Sequence, residues 1–87
     1  MSEEKLKEVG TITHYFPKIG VAIVEVTAPI TVGDTIRIKG TTTDFEQTLK
    51  SMEIEHKKIE KAKAGDSIGL KLEDKVRERD IVYKKIE

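Results

Sequence analysis

Along much of this chain apolar and polar residues alternate with a period of two, the spacing that turns one face of a β-strand toward a core and the other toward water. Ile36 and Ile38 alternate with Thr35, Arg37 and Lys39, and Ile68, Leu70 and Leu72 alternate with Ser67, Gly69 and Lys71. Val21 to Val26 is instead almost continuously apolar, as in a strand covered on both sides, and Val9 to Phe16 mixes β-branched with aromatic residues. Pro17-Lys18-Ile19-Gly20 supplies a turn between these two runs, which predicts a hairpin, and Pro17 and Pro29 leave no room between them for a helix of useful length. Gly33 and Gly65 stand where tight turns call for φ above zero, and Asp34 and Asp66 follow them as residues that hydrogen-bond a turn's backbone. Gly69, inside a strand, is expected to mark a bend or a close backbone approach. A charged loop through Arg79 then leads to a last strand, Ile81 to Ile86.

From Glu46 to Ala64 the local pattern divides. Leu49, Met52, His56 and Ile59 fall at helical spacing, Glu46/Lys50 and Glu53/Lys57 are i,i+4 pairs of opposite charge, and Gly65 could stop a helix. A strand would place Phe45, Gln47 and Leu49 on one face and return Met52 and Ile54 to it after a phase slip near Lys50-Ser51, as a β-bulge does. Pattern alone favours neither.

Composition narrows the class. At 87 residues there is room for one domain with one core, residues 1–7 forming a loosely packed N-terminus. Apolar and charged residues each make up 37%, which suits a folded, heavily charged surface over a small core. Sixteen basic and sixteen acidic residues cancel, so no global field draws the chain to nucleic acid or an anionic membrane. With no cysteine, disulfides and thiolate metal sites are excluded, and the charged start and lack of a long apolar run point to a cytoplasmic protein without membrane partners. The absence of Asn, a single Gln and many Lys, Glu and Ile give a thermophile-like composition.

With these turns in place, VGTITHYFPKIGVAIVEV, VGDTIRIKG, TLKSMEI and KAGDSIGLKL resemble in order the β-barrel second domain of translational GTPases of the elongation factor Tu type. They correspond to its first hairpin, its Gly-acid turn and strand, its long bent strand, and its Ala-Gly-acid turn entering a buried strand. A similar barrel is the C-terminal appendage of collagenase-like peptidases, a family that includes RNA-modification proteins. The resemblance implies an all-β fold, a small closed six- or seven-stranded Greek-key barrel without exposed edges, in which Glu46 to Ile54 is a bent strand followed by a charged loop. It also implies a translation-factor-like binding module associated with RNA, the ribosome or a translation or RNA-modification partner. Where the family's buried strand often ends in a basic residue and Gly, this chain has Glu73 and Asp74 after Leu72, a departure that argues against an aminoacyl-end pocket.

Chemistry-bearing residues are sparse. No Gly-rich phosphate loop is present, so neither nucleotide binding nor GTPase activity is expected. His14 and His56 lack thiol partners for a metal, and Ser51 and Ser67 lack any context for activation, so no catalysis, cofactor or metal is expected. Tyr15 and Phe16 could stack on bases, although at least one is expected in the core. Arg37, Lys39 and Lys50 are the candidate RNA- or partner-binding residues. Two functions follow: a non-catalytic RNA- or ribosome-associated module, or a protein-interaction adaptor or accessory subunit of a separately encoded enzyme of the collagenase-like peptidase type. A monomer is the expected state. From the composition, the thermal unfolding midpoint should exceed about 80 °C. Scanning calorimetry giving a midpoint in the ordinary mesophile range of about 45–65 °C would remove that inference.

Overall fold

Three turns of one build set where strands begin. In residues 31–34 the Asp34 carboxylate accepts a hydrogen bond from the Thr31 N–H (2.8 Å), while the Asp34 N–H donates to the Thr31 carbonyl (3.0 Å). Residues 63–66 repeat this between Lys63 and Asp66 (3.0 Å and 3.0 Å), and residues 77–80 between Arg77 and Asp80 (2.8 Å and 3.2 Å). The third residue of each turn has positive φ, as a type II turn demands: Gly33 at 102°, Gly65 at 96° and Arg79 at 77°. Glycine meets that demand at the two expected positions. Arg79 meets it without glycine's freedom, which is why the third turn reads in the sequence as a plain charged loop.

The structure is a computed structural model describing residues 5–86. Its regular structure is all β, in ten strands: β1 (Leu6–Phe16), β2 (Val21–Val26), β3 (Ile30–Thr31), β4 (Thr35–Lys39), β5 (Asp44–Thr48), β6 (Met52–Ile54), β7 (Lys57–Ile59), β8 (Lys61–Ala62), β9 (Ser67–Lys71) and β10 (Ile81–Lys85). Each of the three turns ends where β4, β9 or β10 starts. Eight strands form one antiparallel sheet in the order β5-β4-β10-β1-β2-β9-β6-β7, and β3 pairs with β8.

Several expectations are corrected. The described residues form ten strands where the resemblance implies six or seven, four of the ten only two or three residues long. The stretch after Ile54 is not simply a charged loop, since it holds β7 and β8. β1 begins at Leu6, paired with Lys85, so the loosely packed segment expected over residues 1–7 does not extend to Leu6 and Lys7; residues 1–4 lie outside the described residues. No ladder joins the end strands β5 and β7 directly. The two ends of the sheet instead meet in one stretch of chain, because β5 pairs with β4 and β6 with β9. Between them the chain bends at residues 49–51: Leu49 exchanges hydrogen bonds with the turn at Gly33 and Asp34 (2.8 Å each), and neither ladder runs through Lys50 or Ser51.

The helix alternative for residues 46–64 fails for a tertiary reason. Gln47, Leu49 and Met52 are buried on one side, with Phe45 and Ile54 half-buried beside them, which is the face the strand reading selects. The core inside the sheet is aliphatic: Ile12, Ile30, Ile36, Ile38, Leu49, Met52, Ile68 and Leu70 are its largest buried side chains. Tyr15 only packs against it and Phe16 is 40% exposed, so neither aromatic enters the core as expected.

Gln47, the chain's single glutamine, supplies what the missing ladder does not. Its Nε2 donates to the Lys71 carbonyl (3.2 Å) and its Oε1 accepts from the Glu73 N–H (2.8 Å), tying β5 to the chain leaving β9. Replacing it by Leu would remove both bonds from a buried site, so Gln47→Leu should destabilise the domain by about 2–3 kcal/mol. Urea unfolding should show this as a lower midpoint with an unchanged slope.

Candidate interaction surface

The three cations singled out in the sequence do not stand as free positive charges. Arg37 and Lys39 share the outer face of β4, and both face Asp44: Arg37 Nε lies 2.9 Å from its Oδ1, and Lys39 is its cross-strand partner. The Arg37 hydrogen bond, with the charge of Arg37 and Lys39, holds the Asp44 carboxyl below the usual carboxylate range. Lys50 lies elsewhere, in the bend before β6, with its Nζ 3.7 Å from Glu73 Oε1. All three therefore have carboxylates opposite them, and Lys50 is not on the strand that carries the other two.

The histidines are likewise apart in their roles. His14 Nδ1 is 3.5 Å from Glu78 Oε2 and its ring lies 4.4 Å from that of Phe16, whereas His56 sits in the turn between β6 and β7. No group of three or more His, Asp or Glu side chains arranged to hold a metal occurs among the described residues. Ser51 is half-buried in the bend, and Ser67 lies on the sheet's outer face. No helix among the described residues is long and apolar enough to cross a membrane.

A different surface combines features that pattern reading missed. The outer faces of β2, β9 and β6 form an open groove of about 410 Å3, lined by Phe16, Ile19, Val21, Ile23 and Gly69, with Glu53, Glu55 and His56 along one side. Register builds it. His14, Ile23, Gly69, Glu53 and Lys58 stand side by side across β1, β2, β9, β6 and β7, while Phe16, Val21 and Lys71 form the next row. Gly69 is the gap in the middle. A Cβ there would meet Val21 Cγ1 at 3.6 Å, ordinary contact, and its φ is not left-handed. The backbone therefore does not require glycine, contrary to the expected bend or close approach, because this position faces the open groove. At one end Phe16 is 40% and Ile19 60% exposed. A second cleft, between residues 42–45 and 74–77, has charged residues of both signs in its lining and no comparable apolar floor.

The groove's acidic side is held by a hairpin in a costly conformation. Glu55 and His56 are the two central residues of the β6–β7 turn, with φ of 50° and 67°. Two successive positive φ values define the turn type that strongly prefers Asn-Gly. Neither Glu53 nor Glu55 forms an ion pair among the described residues. In the sequence this turn lies within the stretch expected to be a charged loop after Ile54, and nothing in Glu55-His56 marks it as a tight hairpin turn.

Comparison with known proteins gives the fold a relative and the sequence another. The chain is 44% identical over 77 residues to an uncharacterized protease of Methanocaldococcus jannaschii; the match takes in 87% of this chain and 19% of that protein. The chain thus spans about a fifth of the length of the curated relative it matches. Among solved structures it is similar to the C-terminal domain of a putative U32 peptidase of Geobacillus thermoleovorans, with a TM-score of 0.85, 18% identity, and 91% and 92% of the two chains covered. The selenomethionine variant of that domain matches with a TM-score of 0.83, 18% identity, and 87% and 96% coverage. At that identity the likeness establishes a shared fold. No family model matches the chain.

Relieving the hairpin should stabilise the protein. Glu55→Asn combined with His56→Gly should raise stability by about 1–2 kcal/mol, visible as a rise in the thermal midpoint of several degrees. An unchanged or lowered midpoint would show that the Glu55 and His56 side chains contribute more to the fold than their backbone angles take away.

Proposed function

We propose that this chain is a non-catalytic accessory domain of a collagenase-like peptidase of the U32 type, acting through protein contacts and not through turnover. The observation that carries this is the 44% identity, over nearly the whole chain, to a fifth of an uncharacterized protease. The fold shared with a C-terminal domain of a putative U32 peptidase supports it. So does the surface: Arg37, Lys39 and Lys50 each face a carboxylate, which weakens them as a phosphate-binding face, while the groove over Gly69 is apolar and open. Of the two functions drawn from the sequence, these observations favour the accessory role over the RNA- or ribosome-associated one.

In this role the domain supplies a rigid surface. Its buried aliphatic residues form one small core, and recognition depends on what the strands' outward positions present. The catalytic groups and the substrate-cleaving cleft belong to the polypeptide that it accompanies.

One pair of measurements tests the reading. The purified chain should leave casein and gelatin intact, and should bind the M. jannaschii protease lacking its matching fifth in a sedimentation or calorimetric titration. It should show no RNA binding at low salt that responds to charge reversal at Arg37, Lys39 and Lys50 together. Proteolysis that tracks the protein peak would end the non-catalytic reading. RNA binding that collapses on the triple reversal, with a salt slope of several phosphate contacts, would return the function to the translation-factor-like class.

A further inference from the structure

Three departures from what local structure favours converge on the groove across β2, β9 and β6. A glycine occupies a strand interior where a side chain would fit, although glycine weakens strands. Glu55 and His56 hold left-handed backbone angles that Asn-Gly would adopt with less strain. Phe16 and Ile19 leave apolar surface in water at the end of the β1–β2 hairpin. Elsewhere departures occur singly, Arg79 with positive φ in the third Asp turn and Ile86 exposed after β10, and only at the groove do three coincide. Where several breaks of local preference gather at one place, that place is a candidate functional site.

The chemistry of the groove says what it takes. Its floor lacks a side chain at Gly69 and is walled by Val21, Ile23, Phe16 and Ile19, so one apolar side chain can sit between the walls. The charged residues in its lining are Glu53 and Glu55, neither ion-paired among the described residues, with His56 beside them. Lys58 is the cross-strand partner of Glu53 and Lys71 that of Val21, but neither lies in the lining and neither forms an ion pair with Glu53 or Glu55. We infer that the groove over Gly69 is the docking site for an extended polypeptide segment that places an apolar side chain next to a lysine or arginine. The inference rests on the accessory-domain reading only for the source of that segment, which is the peptidase polypeptide the domain accompanies. The apolar side chain fills the gap over Gly69 while the neighbouring cation meets Glu53 and Glu55. The strained turn is retained because Asn-Gly there would remove the Glu55 carboxylate from the rim.

The test is a titration of the full isotope-labelled chain, followed by amide resonances, with three capped heptapeptides: a central Leu flanked by lysines, the same Leu flanked by glutamates, and a central Gly flanked by lysines. The Leu-Lys peptide should give saturable shifts centred on Val21, Ile23, Glu55, His56 and Gly69. The other two should bind at least about fivefold more weakly, the scale of one or two exposed ion pairs or one half-buried methyl cluster. Gly69→Val fills the floor and should weaken binding at least about tenfold while the thermal midpoint holds or rises. Ile19→Ser, at an exposed position, should weaken it without touching the core, and provides the same test if Gly69→Val does not fold. Glu53→Gln with Glu55→Gln should erase the preference for lysine over glutamate flanks. Absence of saturable shifts, shifts centred elsewhere, equal affinity for lysine- and glutamate-flanked peptides, or unaltered binding by both Gly69→Val and Ile19→Ser would overturn the inference. Concentration-dependent shifts at these residues without peptide, with a dimer in sedimentation, would overturn it in favour of a second copy of the chain. If Gly69→Val still binds the truncated protease as wild type does, the accessory role stands and the groove is not its docking site.

Discussion

One stretch of eleven residues has to serve two edges of the same sheet. Residues 44–48 pair with β4 and residues 52–54 with β9, so the chain must bend between them without leaving buried polar backbone unpartnered. Two devices make the bend tolerable. Leu49 gives its N–H and carbonyl to the Gly33–Asp34 turn, and Gln47 uses both ends of its amide to reach the backbone of Lys71 and Glu73. A side-chain amide carries its donor and its acceptor on separate atoms without a charge, so it can bond a carbonyl and an N–H at once. The rest of the sheet depends on this, since without it two edges would face water with unpaired backbone groups.

The three Asp turns distribute the same logic over the fold. Each joins a residue's N–H and carbonyl to an aspartate three positions on, and each delivers the chain into a strand, so the register of β4, β9 and β10 is set at their starts. Register then determines which side chains are inside, because a slip of one residue exchanges the two faces. Asp34 also lies 3.4 Å from Lys84 Nζ, which links the first of these turns to β10.

The division of labour between faces explains how a likeness of 18% identity accompanies a TM-score of 0.85. Inward positions must be aliphatic and of suitable size, a condition many sequences meet, while outward positions are restrained by little beyond solubility. The outer face is therefore where a binding specificity can change without refolding the protein. On this chain that freedom appears as an aspartate set between two cations on one side of the sheet, and as an apolar groove with an acidic margin on another.

By itself the sequence determined the parts of this protein that obey a local rule. Alternation at Ile36/Ile38 and Ile68/Leu70/Leu72 identified strands and their buried faces, and Gly-Asp identified two of the three turns, because period and backbone sterics act within a few residues. Tertiary structure decided whatever depended on a distant partner. Residues 46–64 carry helical spacing, yet the edges of β4 and β9 offer that stretch backbone partners and a core face that a helix could not use. Gly10 reads as an ordinary residue of the first strand, but a Cβ there would stand 2.6 Å from Val24 Cγ1, so only packing against β2 reveals why glycine is needed. Gly69 is the reverse case, a glycine whose backbone needs no freedom and whose missing side chain matters only because Ile23 and Glu53 flank it on separate strands. The groove joins residues from 16 to 69, and no property of any one segment could announce it. Its walls are brought together by strand pairing, which is a consequence of the whole chain burying its aliphatic face at once.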